Sequence, residues 1–311
     1  MQRLTLALLL IFATTALNAD TFVDAGDGVR LWYAERGHGS PVIVIHGGPG
    51  MDHATLAADL APLERRHRVI YYDQRGGGRS TLPSDEALLT IDHHVRDLEA
   101  LRQHLGLKKV TLLAHSFGPA IAALYAIRYP ANVERMIFLG PIPPRKGSFF
   151  EEYGPNLRQR LTAEQEKRAN ELSFDAVDVA AVCREYWSIM TPPRVAKSLP
   201  VTVVKADLCA GPPEALRYGM TKTNSATFGS MGDWNWTADL SRVPVPTLVI
   251  HGDEDAIPMR MVSEWVTALP NARILRLHET GHFPHAERPA IVFPAIETFL
   301  RGKWPKSATK E

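Results

Sequence analysis

The chain has 311 residues, of which 45% are hydrophobic and 22% are charged, an ordinary globular composition. A chain of this length can bury one large core, or one core and a smaller domain. Because 34 Asp and Glu residues balance 35 Lys and Arg residues, there is no excess positive charge for nucleic acid or an anionic membrane, and we expect neither partner.

The N-terminal segment differs from the rest of the chain. Arg3 precedes an apolar run over residues 4–17, and the small residue Ala19 follows shortly. This pattern is typical of a secretory signal peptide. We predict a signal peptide over residues 1–19 and export to the periplasm or the medium. The alternative is a membrane anchor, but the run is shorter than the roughly 20 residues of a spanning helix, so we expect no stable membrane insertion after cleavage.

Apolar runs and helix-like segments alternate along most of the chain. The first part, residues 21–45, indicates strands with a turn at residues 26–28. Runs typical of strands covered on both faces lie at residues 42–45, 69–72, 110–114, 136–139, 247–250 and 274–277. The clearest helical segments are residues 92–105, 118–128, 259–269 and 290–300. This alternation predicts an α/β fold with a mostly parallel sheet and helices on both faces.

The alternation stops between Gly140 and Arg242. The intervening stretch is rich in proline and looks mainly helical and amphipathic. It is too long to be a simple connection in a compact domain. We predict an inserted helical cap over residues 141–241 and a core formed by residues 20–140 and 242–311. Ligands of such sheets bind at the carboxyl ends of the strands, where a cap would shape the substrate pocket.

Two cysteines, Cys183 and Cys209, lie within the predicted cap. A disulfide between them and a pair of buried free thiols are both compatible with the sequence, because spacing along the chain does not fix their distance. Neither belongs to a Cys-x-x-Cys motif or a Cys/His cluster, so no structural metal site is expected.

A serine follows the third of the apolar runs. Residues 114–118 are Ala-His-Ser-Phe-Gly and lie between a predicted strand and a predicted helix. A strand–serine–helix turn of this kind is a nucleophile elbow, a strained turn that exposes the serine hydroxyl. The residues two before and two after the serine must be small, and Ala114 and Gly118 meet this requirement. Ser116 is therefore the predicted nucleophile.

A serine nucleophile needs a base, and the base needs a carboxylate that orients it. In sheets of this kind the chain order is serine, acid, histidine. The segment 251–255 follows the fifth apolar run and suggests Asp255 as the acid, with Asp253 or Glu254 as the alternative.

The predicted base comes after the sixth run, where residues 281–285 are Gly-His-Phe-Pro-His. We assign this role to His282 because it directly follows Gly281, and we expect His285 to be a structural or pocket residue.

The predicted chemistry also needs two backbone N–H groups that stabilise the developing oxyanion. We expect Phe117, directly after the nucleophile, to supply one. Residues 46–50, His-Gly-Gly-Pro-Gly, follow the first buried run, and their glycines allow close backbone approach to a ligand. We predict Gly48 as the second donor.

These motifs carry a resemblance to a known family. Residues 46–50, together with Asp-Gln-Arg-Gly-Gly-Gly-Arg-Ser at 73–80, resemble the proline iminopeptidase (prolyl aminopeptidase) branch of the α/β hydrolases. The resemblance extends over residues 42–300 and includes the elbow and both later turns. It implies an α/β-hydrolase fold, a Ser-His-Asp triad, a helical cap and release of an N-terminal residue from peptides. The same branch also contains esterases.

Two departures from the family pattern concern the substrate. Iminopeptidases usually have glycines and often a tryptophan around the serine, where this chain has Ala114, His115 and Phe117. They also hold the substrate's free amine with acidic cap residues, whereas residues 221–232 contain no Asp or Glu. Three acidic residues elsewhere in the cap are candidates for binding the amine, and the alternative is that they are exposed helix charges. They are Glu151, Glu152 and Glu185.

Other residues singled out by the sequence have expected structural roles. For Asp73 and Arg75 we expect an ion pair or loop hydrogen bonds rather than catalysis. Of the aromatic residues in the cap, we expect some to line an apolar pocket and most to fill the core. These residues are Phe149, Phe150, Tyr153, Trp187, Phe228, Trp234 and Trp236.

The leading hypothesis is a peptidase-like or amidase-like serine hydrolase that acts on a small-molecule or short-peptide substrate with a free amine. The alternative is a carboxylesterase or lipase-like enzyme with the same triad. A ligand-binding protein without turnover is a third hypothesis, against which the intact triad argues. Serine at the nucleophile position also argues against epoxide hydrolases and haloalkane dehalogenases, which use Asp there. No cofactor or metal is implied, and the oligomeric state stays open.

Overall fold

The computed structural model describes residues 21–310. The predicted signal peptide over residues 1–19 lies outside the described residues. Among the helices of the described part, none has both the length and the apolar character needed to cross a membrane.

Within residues 21–310, eight strands form one sheet in the order β1-β2-β4-β3-β5-β6-β7-β8. Strand β2 is antiparallel to both β1 and β4, and all other neighbours are parallel. The strands are β1 Thr21–Gly26, β2 Val29–Arg36, β3 Ser40–Ile45, β4 His67–Tyr72, β5 Val110–His115, β6 Val133–Leu139, β7 Thr247–Gly252 and β8 Ala272–Leu277. Each of the six predicted apolar runs lies within one of these strands.

Twelve α-helices accompany the sheet in the described chain. They are α1 Ala54–Leu60, α2 Ile91–His104, α3 Gly118–Arg128, α4 Phe149–Arg158, α5 Ala163–Glu171, α6 Val179–Met190, α7 Pro213–Tyr218, α8 Asn224–Met231, α9 Thr237–Leu240, α10 Met259–Ala268, α11 Pro284–Glu287 and α12 Pro289–Leu300. The four predicted core helices correspond to α2, α3, α10 and α12, with ends that differ by at most one residue.

The sheet is buried on both faces, which explains the apolar runs within its strands. In β3, Ile43 and Ile45 pack on one face, in the same core as α2, α3 and α10. Val42 and Val44 point to the opposite face, where α1 and α12 complete a second core. Such a double-sided arrangement leaves the strand ends, rather than the faces, available for a ligand.

Residues 141–241 form a helical segment between β6 and β7. All of them are described, and they contain helices α4 to α9 but no strand. Short 3₁₀ turns lie at Pro192–Arg194 and Val201–Val203, and a π-helical turn, Gly219–Thr223, joins α7 to α8.

A disulfide joins Cys183 of α6 to Cys209 in the loop before α7, with their Cα atoms 5.9 Å apart. Of the two possibilities left open by the sequence, the structure contains the disulfide.

Candidate active site

Ser116 occupies the sharp turn between β5 and α3. Its φ angle is +59°, the strained left-handed conformation expected of a nucleophile elbow. The turn is tight, because a Cβ atom at Gly118 would lie 2.5 Å from the carbonyl oxygen of Ile45. Ala114 is fully buried, so the methyl group that departs from the usual glycine is accommodated in the core.

The three residues predicted as nucleophile, base and acid are connected by hydrogen bonds. Nε2 of His282 lies 3.0 Å from Oγ of Ser116. Nδ1 of the same ring lies 2.8 Å from Oδ2 of Asp255. With Nδ1–H donating to the carboxylate, Nε2 is free to accept the serine proton. The strand ends of β5, β7 and β8 thus bring together residues that are far apart in the sequence.

Asp255 is buried yet remains ionised. Burial by itself raises the pKa of its carboxyl group, but attraction to His282, the hydrogen bond to that ring and the nearby His251 lower the pKa to about 2. Its Oδ1 accepts a hydrogen bond from the backbone N–H of Ile257 at 3.0 Å. A carboxylate held in this way can stabilise a protonated His282.

The other two acidic residues of this turn face elsewhere. Asp253 bonds the exposed ring of His278, with Oδ2 2.9 Å from Nδ1. Glu254 accepts a hydrogen bond from the backbone N–H of Lys197 at 2.9 Å. Among these three carboxylates, only that of Asp255 contacts His282.

The loop that carries His282 is held by a buried carboxylate that the sequence analysis missed. Glu287 accepts hydrogen bonds from the backbone N–H groups of Gly281 at 2.7 Å and Phe283 at 2.9 Å. It also accepts one from Ala196 of the helical segment at 2.9 Å. No local motif marks this residue, and one of its three contacts spans 91 positions of the sequence.

Two further histidines pack behind His282. The His115 ring donates through Nε2 to the His282 carbonyl at 3.0 Å, and it lies 5.3 Å from the ring of His285. Burial, with a smaller effect from His282, lowers the pKa of His285 to about 3. The pKa of His115 is also well below its usual value, first because of burial. Both rings are therefore neutral at ordinary pH, and the expectation of a structural or pocket role for His285 agrees with its burial.

The predicted oxyanion residues, Gly48 and Phe117, lie beside Ser116 on the wall of one cavity. Gly48 has a φ angle of +125°, which favours glycine. Within residues 21–310, neither backbone N–H donates to a protein acceptor. Gly47 packs so closely that a Cβ atom there would lie 2.8 Å from that of Ser116. The loop thus brings its backbone against the nucleophile.

Buried polar contacts fix this glycine-rich loop. His46 accepts a hydrogen bond at Nε2 from the Gln74 N–H at 3.1 Å and donates through Nδ1 to the Gly47 carbonyl at 2.7 Å. Burial lowers the pKa of His46 to about 4, so the ring stays neutral and keeps both bonds. From the helical segment, the Asn224 amide donates to the carbonyls of Gly48 and Pro49, both at 3.3 Å.

Asp73 and Arg75 have structural partners, but not each other. Arg75 forms a buried bidentate pair with Asp97 at 2.6 and 2.7 Å. Asp73 accepts hydrogen bonds from His53 and from the backbone N–H of Arg79. Both residues thus fix loops, as expected from the sequence.

Among the described residues, one cluster has ligand atoms close enough for a metal ion. It consists of Asp52, His53 and Asp73, whose donor atoms lie within 4.8 Å of one another. Both Asp73 carboxylate oxygens already accept protein hydrogen bonds. Burial and the Asp73 charge raise the pKa of Asp52 to about 6. The hydrogen bonds of the cluster tie His53 and the loop at Arg79 to the Asp73 carboxylate.

A cavity of about 390 Å³ opens at Ser116 between the sheet and the helical segment. Five of the seven singled-out aromatics line it, namely Phe149, Phe150, Tyr153, Trp187 and Phe228. Trp234 and Trp236 are instead buried in the core. Tyr186, which the sequence did not single out, also lines the cavity. Among the described residues that line it there is no Asp or Glu.

The acidic residues considered for an amine site lie outside this cavity. Glu152 pairs with Arg260, and Glu185 pairs with Arg168. Glu151 is an exposed residue of α4. These residues are charges on the surface of the helices. From the sequence, this was the alternative to an amine-binding role.

The match to known proteins agrees with this architecture. Residues 40–289 match the family described as the alpha/beta hydrolase fold. A proline iminopeptidase from Heyndrickxia coagulans is 26% identical over 277 residues, which cover 86% of this chain and 93% of the relative. A non-heme haloperoxidase from Rhodococcus erythropolis is 30% identical over 263 residues, with 81% and 89% covered.

Among solved structures, an esterase from Thermogutta terrifontis superposes with a TM-score of 0.67 at 24% identity, covering 91% of this chain and 98% of its own. At that identity the likeness concerns the fold alone. The chain therefore belongs to the α/β-hydrolase family, in which it is a proline iminopeptidase-like enzyme of the serine hydrolase class.

Proposed function

We propose that the protein hydrolyses small ester or amide substrates through an acyl-enzyme on Ser116. The observation that carries the proposal is the hydrogen-bonded chain from Ser116 through His282 to Asp255 at the wall of an apolar cavity. Nucleophile, base and orienting acid within hydrogen-bond reach are the requirement for this chemistry.

In the first half-reaction, Oγ of Ser116 attacks the substrate carbonyl carbon while Nε2 of His282 takes the hydroxyl proton. Asp255 stabilises the imidazolium that forms. The carbonyl oxygen becomes an oxyanion, which accepts hydrogen bonds from the N–H groups of Gly48 and Phe117. His282 then returns the proton to the leaving alcohol or amine as its bond to the acyl carbon breaks.

In the second half-reaction, water replaces the leaving group. Nε2 of His282 takes a proton from water, whose oxygen attacks the acyl carbon. The tetrahedral species then collapses as the proton passes to Oγ of Ser116, which releases the carboxylic acid and restores the enzyme. The reaction needs no cofactor, because every proton transfer uses His282.

The cavity favours an ester or amide with an apolar body. Aromatic side chains dominate its lining, and no carboxylate among the described residues lines it to bind a substrate ammonium group. An aminopeptidase activity is the second candidate, supported by the likeness to the proline iminopeptidase of Heyndrickxia coagulans. Likeness of fold is a weak guide to substrate, so cavity chemistry decides our preference.

The helical segment is proposed to act as the cap of this site. It supplies most of the aromatic residues that line the cavity, including Phe149, Trp187 and Phe228. A cap of this kind sets which substrates reach Ser116 without contributing to the proton transfers.

Export is a separate part of the proposal. It is supported by the predicted signal peptide and by the disulfide between Cys183 and Cys209, since disulfides persist in oxidising compartments. N-terminal sequencing of protein from the periplasm or medium should find a chain that begins near Asp20. A cytosolic protein that retains Met1 would refute export.

The Ser116→Ala variant tests the reaction itself. Removal of a triad nucleophile should reduce kcat by about a millionfold while the circular dichroism spectrum stays unchanged. A fluorophosphonate probe should label wild-type Ser116, identified by the mass of the modified peptide. Labelling of another serine, with activity retained in Ser116→Ala, would contradict the proposal.

A substrate panel distinguishes the two candidate activities. It should contain p-nitrophenyl esters of increasing chain length and aminoacyl arylamides, including proline, each with a free and an acetylated amine. The ester preference would be supported if the esters are turned over faster than the arylamides and if acetylation of the amine does not slow turnover of the arylamides. Turnover confined to free amines would support the aminopeptidase.

A further inference from the structure

One arginine lies among the apolar residues around Ser116. Arg194 ends the turn Pro192–Arg194 after α6. It lines the cavity of about 390 Å³ and also an adjoining cavity of about 100 Å³ that contacts His282. Among the described residues that line these two cavities, Arg194 is the only Lys or Arg, and none is Asp or Glu.

The contacts of Arg194 leave much of its guanidinium group available to a ligand. Nη1 donates to the carbonyl of Met190, and the guanidinium carbon lies 5.3 Å from the centre of the Trp187 ring. Within residues 21–310, no carboxylate pairs with Arg194. Arg75 and Arg102 differ in this respect, since each forms a bidentate pair with a carboxylate.

A half-buried guanidinium has lost part of its hydration and gains from a charged partner. Its planar set of donors matches a carboxylate in a two-pronged hydrogen bond, which a neutral carbonyl cannot replace fully. The position of the group over the Trp187 ring is a cation–π contact, which uses none of its N–H donors. An anion with carboxylate geometry would match the donors that remain available.

The backbone fixes Arg194 beside the proposed catalytic base. Its carbonyl oxygen accepts the His282 backbone N–H at 2.7 Å. A Cβ atom at Gly281 would lie 2.2 Å from the same oxygen, so the two chain segments are in close contact. Because Arg194 lines both cavities at Ser116, a group that it binds would share the cavity of the reacting bond, where the positive charge would repel a substrate ammonium group.

We propose that Arg194 binds a carboxylate carried by the substrate, so that the enzyme prefers apolar esters or amides with one negative charge. This inference rests on the proposed hydrolase function and specifies its substrate class. The carboxylate can belong either to the acyl chain or to the leaving group, because Arg194 lines both cavities at Ser116.

Two pairs of substrates separate these positions. For the acyl chain, the monoadipate ester of 4-nitrophenol is compared with the hexanoate ester. For the leaving group, the hexanoyl ester of 4-hydroxybenzoate is compared with that of methyl 4-hydroxybenzoate. Within each pair the acid and neutral members have similar size, and the ratio of their kcat/KM values isolates the charge.

The wild type should prefer the charged member of at least one pair. In Arg194→Gln this ratio should fall by about 10- to 100-fold, the range expected when a charge-assisted hydrogen bond is lost. Arg194→Lys should recover part of the ratio, because it keeps the charge but not the two-pronged geometry. Arg217→Gln is the matched control, since Arg217 is in the same helical segment and donates to the carbonyl of Ala176.

Binding measured without turnover gives a second test. Titration calorimetry of 4-phenylbutyrate and 4-phenylbutanol against Ser116→Ala should show tighter binding of the acid. The Ser116→Ala/Arg194→Gln variant should lose that difference.

Unchanged ratios in Arg194→Gln, or equal binding of acid and alcohol, would overturn the carboxylate site. Failure of the hydrolase proposal has a different signature, namely no turnover and no fluorophosphonate labelling of the wild type. The calorimetric comparison still decides the role of Arg194 in that case.

Discussion

The carboxyl edge of the sheet and the helical segment contribute to the site in different ways. At the sheet edge, Ser116, Asp255 and His282 follow three strands whose positions are set by a core on both faces. The helical segment instead offers side chains from several helices and turns, mostly aromatic, to one cavity. In the proposed function, the edge supplies the residues that react with an ester or amide carbonyl, and the segment shapes the cavity that receives the substrate.

After loss of the Ser116 nucleophile, replacement of the orienting acid should have the largest effect, and this effect should be independent of substrate. Asp255→Asn is expected to lower kcat by roughly 10⁴-fold, because the amide favours the wrong tautomer of His282 and cannot stabilise its cation. Asp253→Asn is the control, since Asp253 bonds the exposed His278 instead. The measurement is kcat on one ester and one amide. Equal, small losses in both variants would show that the acid is misassigned.

Loss of the disulfide should destabilise the helical segment rather than the sheet. The bond between Cys183 and Cys209 closes a loop over a sequence separation of 26, for which the expected contribution to the free energy of unfolding is about 3.5 kcal/mol. Hydrogen exchange of the Cys183→Ser/Cys209→Ser variant should accelerate in α6 and α7. Addition of a reductant should accelerate hydrogen exchange in the same helices of the wild type and leave exchange in the variant unchanged. Equal acceleration throughout the sheet would contradict the distinction between the two regions.

Acid should destabilise the sheet edge through its buried histidines. The folded-state pKa of His285 is about 3, whereas an unfolded histidine titrates near 6.5. The unfolded chain thus binds an extra proton between these values, and stability is lost as the pH falls from about 6.5 towards 3. Titration of His285 alone should lower the free energy of unfolding by on the order of 2 kcal/mol between pH 7 and 5.

The His285→Leu variant isolates this contribution. Urea unfolding at pH 7 and 5 should show a smaller pH dependence of the unfolding free energy than in the wild type. His278→Leu serves as the control, since that ring is exposed. The same pH dependence in His285→Leu and the wild type would show that His285 does not carry the effect.

The smallest expected effect concerns the cavity and depends on the substrate. Phe150 lines the cavity yet is 45% exposed, so Phe150→Ala should cost little stability. In this variant the ratio of kcat/KM for hexanoate esters to that for acetate esters should fall roughly tenfold, because the longer chain loses an apolar contact. Phe22→Ala on β1, outside the cavity, should leave this ratio unchanged. A uniform loss on both esters in Phe150→Ala would mean that the segment also affects the reaction step.

The sheet, and the proximity of Ser116, His282 and Asp255, were predictable because their signals are local. A continuous apolar run marks a strand, and Ser116 and His282 each lie in a short turn beyond such a run. Even the choice of Asp255 over Asp253 follows from its place in the turn. At the sheet edge, a residue's place directly after a strand predicts its place in the fold, even though the three residues are far apart in the sequence.

The residues that were missed depend on contacts between distant parts of the chain. Glu287 lies in the four-residue helix α11 and bonds Ala196, and no periodicity distinguishes it from a surface acid. Arg194 follows two prolines in an ordinary turn, and only the folded chain places it beside His282. The alternative pairing states of the cysteines were likewise undecided, because spacing in the sequence does not measure distance.

The contacts between the helical segment and the histidine loop have a consequence for sequence divergence and for protein engineering. On the segment side, the acceptor for the His282 N–H and the donor to Glu287 are main-chain atoms, those of Arg194 and Ala196. Any residue at position 194 can provide the carbonyl oxygen, and any residue except proline at position 196 can provide the N–H group. The side chains of the segment can therefore be exchanged without disturbing the histidine, provided that the turn keeps its path. A chimera that imports a foreign segment should be joined so as to preserve this main-chain contact.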